Sequence, residues 1–243
     1  MKNRIDKNHW LVKKPVAHRG LWNKEITENS LSAYKNAVDN GYPIEIDVYS
    51  SKDGVIFSFH DASLTRMTGE NGYIYEKTEE ELKALTINEK GEKIPTLKQV
   101  LEVVNGKVPL LIEIKNQPRK DVAYAVLRDL DGYAGEYAIQ SFNPMYINAV
   151  KKLAPFVLRG ILATKSKNHL KKEKPFTRFV IKNMALNFLI KPDFISFNYE
   201  DLPLKKCKVK SRPVIAWTVT SKEIQDKISS YCDNIIFENY LPK

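Results

Sequence analysis

The chain has 243 residues, 43% of them hydrophobic and 28% charged, the composition of a soluble globular protein with enough length to bury a substantial core. Lys and Arg number 39 against 29 Asp and Glu, a formal net charge of +10 that favours anionic partners: phosphates, nucleic acid or an anionic membrane surface. Two cysteines, Cys207 and Cys232, in no CxxC spacing exclude a disulfide framework, and no run approaches the ~18 apolar residues of a membrane-spanning helix.

The first fourteen residues, MKNRIDKNHWLVKK, are polar and charged and lack the ~7–15-residue apolar core of a signal peptide. A cytoplasmic protein, with membrane association left open, is the expectation. Short apolar runs then recur along the chain. They predict eight strands: Pro15–His18, Ile44–Tyr49, Leu110–Ile114, Tyr137–Gln140, Val157–Leu162, Phe194–Phe197, Val214–Val219 and Asn234–Phe237. Amphipathic stretches between them predict helices over Asn29–Asn40, Thr96–Val104, Asp121–Leu130, Pro144–Leu153 and Ser221–Ser230, the first stopped by Gly41. Near-continuous apolar strands alternating with helices argue for a parallel sheet covered on both faces. Eight such units predict an α/β fold closed as a (β/α)8 TIM barrel, with a doubly wound open sheet as the alternative. The whole chain, 1–243, reads as a single domain.

Two segments interrupt the alternation. Ser50–Pro95 opens on the turn signal Ser51-Lys52-Asp53-Gly54 and continues with alternating Val55-Ile56-Phe57-Ser58-Phe59-His60, predicting a hairpin and small lobe inserted after the second strand, about residues 50–95. Ser166–Pro192 combines clustered lysines with a strongly apolar second half. It reads either as an outer helix of the barrel with a solvated lysine face or as an interfacial segment in peripheral contact with an anionic membrane.

In a parallel barrel, chemistry sits at the C-terminal ends of the strands, so polar residues there take priority. His18-Arg19-Gly20 closes the first predicted strand. Glu45 and Asp47 lie two apart in the second, hence on one face, with Ile44, Ile46 and Val48 on the other. Glu113 and Lys115 repeat the pattern in the third. Three carboxylates facing one small volume repel each other and call for a hard divalent cation such as Mg²⁺ or Ca²⁺; a structural network with Lys115 or Arg19 is the alternative. Of the four histidines, His18 closes a barrel strand and His60 closes the inserted hairpin, which is expected to fold back over the strand ends. Two imidazoles beside a metal and an arginine suit phosphodiester chemistry, one taking a proton and the other giving one. His9 and His169 lie in lysine-flanked contexts and are assigned no role.

With these residues in place the sequence resembles the glycerophosphodiester phosphodiesterase family. The resemblance rests on His18-Arg19-Gly20, Glu28-Asn29-Ser30, Glu45-Ile46-Asp47-Val48, Asp53-Gly54, His60-Asp61, Leu64-Thr65-Arg66 and Gly72, in order and approximate spacing. It continues through Glu113-Ile114-Lys115, Gln140-Ser141-Phe142, Ala216-Trp217-Thr218-Val219 and the closing Asn234–Asn239 stretch. It implies a (β/α)8 barrel that hydrolyses small-molecule glycerophosphodiesters to glycerol 3-phosphate and an alcohol. It implies His18 and His60 as the acid/base pair, Arg19 as phosphate ligand with Lys115 beside the phosphate, and Trp217 on the glycerol side. Glu45, Asp47 and Glu113 would be ligands of one divalent metal ion, Mg²⁺ or Ca²⁺. The sequence departs from the family pattern at Thr27, where proline is usual, and in the last strand, which lacks the usual aspartate-glycine-threonine ending. Both bear on the substrate pocket and leave the catalytic set intact. Two other readings are weighed: a related barrel phosphodiesterase acting on lysophospholipids or phospholipids at a membrane surface, and a non-catalytic module binding an anionic ligand or lipid. The second requires the loss of a catalytic position, and none is lost. No nucleic-acid-binding signature is present, so no nucleic-acid partner is expected.

Overall fold

The computed structural model describes residues 4–167, 170–171, 174–205, 209 and 211–242. His169, Cys207 and Lys172, which the sequence reading touches, lie outside them. Among the described residues there are nine strands: β1 Val16–Ala17, β2 Ile44–Ser50, β3 Ile56–Ser58, β4 Leu110–Ile114, β5 Tyr137–Ser141, β6 Leu158–Ala163, β7 Phe194–Asn198, β8 Val214–Val219 and β9 Asn234–Phe237. Eight correspond to the predicted set, and β4, β8 and β9 coincide with it end to end. The fold is a (β/α)8 barrel with a small lobe inserted after β2. The chain divides into two compact units, Ala17–Tyr137 and Ala138–Lys243 with Met1–Val16.

In the first unit β2 runs parallel to β4 with Ile46 opposite Ile112 and Asp47 opposite Glu113. Ala17 of β1 pairs Ile44 on the other side of β2. All seven residues of β2 and all five of β4 are buried, which is why both read as largely apolar runs interrupted by their carboxylates and, at the end of β2, by Ser50. The helix Leu31–Asp39 follows β1. The Ser30 hydroxyl caps it by accepting from the Ala33 amide at 3.1 Å. Its end is a Schellman turn: the Gly41 amide bonds the Val38 carbonyl and the Tyr42 amide bonds the Ala37 carbonyl, both at 3.0 Å, with Gly41 at φ 73°.

The predicted hairpin is β2–β3, antiparallel with Val48 opposite Ser58 and Ser50 opposite Ile56. Beyond it the lobe has a core of its own: Tyr49, Phe57, Phe59, Leu64, Ile74, Leu82, Ile87 and Ile94. The lobe also holds a helix, Glu79–Ala84, that the periodicity reading missed because six residues are too few to show a period. Its signal is local, the capping box of Thr78 and Glu81.

In the second unit β5, β6, β7, β8 and β9 pair in that order, all parallel, with Ile161 opposite Ile195 and Phe197 opposite Ala216. Among the described residues, the lysine-rich segment after β6 forms two helices rather than one, Pro175–Asn183 and Asn187–Ile190. Met184 adopts the left-handed conformation at φ 50° and stops the first. Cys232 is a half-buried free thiol whose pKa burial pushes up to about 11, which suits a structural thiol.

Gly20, which closes the first strand's motif, stands at φ 84°, and a Cβ built there would lie 2.8 Å from the Ala33 Cβ and 2.9 Å from its carbonyl carbon. The helix Leu31–Asp39 can therefore approach the His18-Arg19 turn only over a glycine. Gly20→Ala is expected to cost roughly 2–4 kcal/mol through left-handed strain and overpacking. Urea unfolding measures this directly, and an unchanged midpoint would show that the loop relaxes without penalty.

Candidate active site

The carboxylates of Glu45, Asp47 and Glu113 converge: one oxygen from each lies within 4.8 Å of the others, and all three side chains are buried. The strands explain this. Glu45 and Asp47 are two apart on β2, and the parallel register sets Glu113 of β4 directly beside Asp47.

Cationic groups surround the cluster. The Lys115 ammonium, one pleat beyond Glu113, lies 2.8 Å from Glu113 Oε1 and 3.2 Å from Asp47 Oδ1. Arg19 turns back at φ 57°, so that its amide donates to Glu45 Oε2 at 3.0 Å. Its guanidinium reaches Glu28 Oε1 at 2.9 Å and lies 3.4 Å from Asp47 Oδ2. His60 arrives by backbone register. The hairpin places the Phe59 amide 3.0 Å from the Asp47 carbonyl, so the next side chain leaves the strand beside the cluster. His18 directly follows β1. In the second unit, Trp217 lies on β8, edge-on to Phe142 with ring centres 5.6 Å apart.

Positions quoted in the sequence motifs without a role of their own hold these groups in place. Asn29, left-handed at φ 52°, donates from Nδ2 to Asp47 Oδ2 at 3.0 Å and accepts from the Tyr34 hydroxyl at 2.8 Å. His60 Nδ1 meets Asp61 Oδ1 at 2.6 Å. Asp61 and Glu28 are tied together by Arg66, whose Nε bonds Asp61 Oδ2 and whose Nη2 lies 2.6 Å from Glu28 Oε1. A continuous chain thus runs from His60 through Asp61, Arg66 and Glu28 to Arg19.

Electrostatics divides the carboxylates. Burial pushes the Glu45 carboxyl well above its ordinary range, and the charges of Asp47 and Glu113 push it further. Burial would also raise Asp47, but Lys115, His60, Arg19 and His18 override it and hold that carboxyl far below its ordinary value. Lys115 is raised despite its own burial, because Asp47 and Glu113 face it. His60 is lowered, first by burial and then by Lys115. Glu45 is thus the carboxylate left without enough positive charge. Three oxygen donors, one of them under-neutralised, fit a hard divalent cation.

The fold and this cluster define a barrel hydrolase with an acidic site ringed by histidine, arginine and lysine. Residues 18–239 match the model of the glycerophosphoryl diester phosphodiesterase family. A glycerophosphodiester phosphodiesterase of Caldanaerobacter subterraneus is 31% identical over 92% of this chain and 93% of its own length. Among solved structures, an Oleispira antarctica phosphodiesterase in complex with the product sn-glycerol-3-phosphate superposes with a TM-score of 0.77 at 23% identity, covering 93% of each chain. The glycerophosphodiester phosphodiesterase of Thermotoga maritima does so at 0.69 and 26% identity, over 91% of this chain and 93% of the other. The chain belongs to the glycerophosphoryl diester phosphodiesterase family. It is a phosphoric diester hydrolase, and its reaction is the hydrolysis of glycerophosphodiesters.

Because Lys115 faces two buried carboxylates, Lys115→Met is expected to destabilise the metal-free protein by about 3–5 kcal/mol, the usual scale for orphaning a buried charge. Thermal melts in excess chelator test this. An unchanged melting temperature would mean that protonation of Glu45 already relieves the repulsion.

Proposed function

We propose that Glu45, Asp47 and Glu113 hold one Mg²⁺ or Ca²⁺ ion, that His18 and His60 are the acid/base pair, and that Arg19 and Lys115 bind the phosphate of a glycerophosphodiester. The observation that carries this reading is the convergence of three buried carboxylates within 4.8 Å beside the Arg19 and Lys115 cations. When bound, a divalent ion supplies Lewis acidity toward a phosphoryl oxygen and lowers the pKa of an attacking hydroxyl. The rest falls to the chain's own residues.

Asp61 accepts from His60 Nδ1, which leaves the Nε2 lone pair as the proton acceptor. Its lowered pKa keeps the imidazole neutral and able to act as a base. His18, at the end of β1, is then the group that returns a proton to the leaving alkoxide. Arg19 offers a planar fork to two phosphoryl oxygens, and the Lys115 ammonium adds a point charge. The family resemblance would give Trp217 the glycerol side. The family match runs across both compact units, which supports a single catalytic domain. A cytoplasmic location is part of this reading; among the described residues no helix is long and apolar enough to cross a membrane.

Purified protein offered glycerophosphocholine, glycerophosphoethanolamine, glycerophosphoinositol and lysophospholipids is expected to release glycerol 3-phosphate from the soluble diesters. Activity should vanish in chelator and return with Mg²⁺ or Ca²⁺. Full turnover in excess chelator, with no metal found by elemental analysis, sinks the metal assignment. His18→Ala and His60→Ala should each keep the fold and lose roughly 10²–10⁴ in rate; near-normal turnover in either removes that residue from the mechanism. Arg19→Lys keeps the charge but loses the fork, so kcat/KM should drop by at least about tenfold. Equal values for variant and parent would make Arg19 structural.

A further inference from the structure

The segment Lys165–Lys191 carries eight basic residues and one acidic residue, Glu173, a net charge of +7 within a chain of net charge +10. Its two helices satisfy the interior with few side chains: Val180, Ile181, Met184 and Ile190 are buried. That is ordinary outer-helix packing, and it leaves three phenylalanines over. Phe176 is 76% exposed, Phe179 57% and Phe188 76%. Phe176 and Phe179 lie one turn apart on the helix Pro175–Asn183, and Phe188 lies on the short helix that follows. Lys171, Lys174 and Arg178 stand exposed around them, and Lys191 is exposed at the end of the second helix. Large apolar side chains held in solvent within a strongly basic segment have no use in packing the barrel.

We propose that this surface docks the enzyme on anionic phospholipid bilayers. Lysine and arginine are drawn to the negative headgroups, and the exposed phenylalanines then insert at the headgroup–acyl boundary. Charge decides between occupants. A symmetric contact with a second copy through this face would set one strongly positive segment against another, which disfavours self-association. A bilayer rich in phosphatidylglycerol offers both the negative charge and the apolar layer that the two kinds of side chain require. The sequence alone left an outer packing helix and an interfacial segment as alternatives; the exposure pattern joins them, with one face of the helix inward and the phenylalanines outward.

The test is co-sedimentation with vesicles of mixed phosphatidylglycerol and phosphatidylcholine, compared with phosphatidylcholine alone. No substrate is present, so the outcome is independent of the catalytic reading. The parent protein should pellet with the anionic vesicles at low salt and be released at about 0.5 M salt. Phe176→Ser/Phe179→Ser and, separately, Lys171→Glu/Lys174→Glu should each raise the lipid concentration for half-binding by roughly tenfold or more. Both should leave hydrolysis of a water-soluble diester unchanged, which also verifies the fold. A parent protein that stays in the supernatant overturns the proposal, as do variants that bind like the parent. Loss of a concentration-dependent dimer in the phenylalanine variant, with vesicle binding unaffected, would assign the surface to a second copy. Tighter binding to single-stranded nucleic acid than to vesicles, sensitive to the same variants, would assign it to that polymer.

Discussion

Buried carboxylates repel one another, and a strand pair that gathers three of them into one small volume must be given positive charge or take up protons. That constraint organises the first unit. Lys115 and Arg19 each face more than one carboxylate, and Asn29 donates to Asp47 from within the buried layer. Even so Glu45 is pushed toward its protonated form. A hard divalent cation would complete the neutralisation, and the same repulsion would then supply the cluster's affinity for it. The glycine at position 20 and the left-handed backbone of Arg19 and Asn29 serve this arrangement, because they fold the chain tightly enough for amide and side chain to reach different carboxylates.

Much of this was legible in the sequence, for identifiable reasons. Alternation within Ile44-Glu45-Ile46-Asp47-Val48 put two carboxylates on one face, since pleat geometry depends on nothing distant. Glu113 could be placed beside them because a parallel barrel brings neighbouring strand ends together. The inserted lobe was visible from its turn signal and alternating strand. The register was not: that Asp47 lies opposite Glu113, and that the Phe59 amide meets the Asp47 carbonyl, follows from hydrogen-bond pairing no single strand encodes. The pairing of Arg66 with both Asp61 and Glu28 was equally hidden, although all three stood in motifs already singled out. A surface arginine gives no sign of which carboxylates, five and thirty-eight residues away, it will join. The break at Met184 was also beyond sequence patterning, because a methionine carries no stop signal of the kind glycine does.

The lobe is where packing and chemistry meet. Its own apolar cluster fixes β3, and β3 delivers His60 to the carboxylates of β2. Asp61 and Arg66 then tie that imidazole to Glu28 on the loop that follows β1, so the inserted lobe and that loop are locked together across the site. A histidine held in this way keeps its ring orientation when the chain around it fluctuates, which is what a proton-transfer group requires.

The company Arg19 keeps has a bearing on turnover. Its guanidinium is already engaged by Glu28 and Asp47, and the Lys115 ammonium by Asp47 and Glu113. With a divalent ion held as proposed, Arg19, Arg66, Lys115 and the metal would be balanced by the carboxylates of Glu28, Glu45, Asp47, Asp61 and Glu113. Such a pocket would have no surplus of positive charge with which to trap an anion. A diester carries one negative charge and its monoester product up to two, so a strongly cationic pocket would clutch the product harder than the substrate. A pocket balanced by its own acids would lack that bias, and the more highly charged species would leave readily.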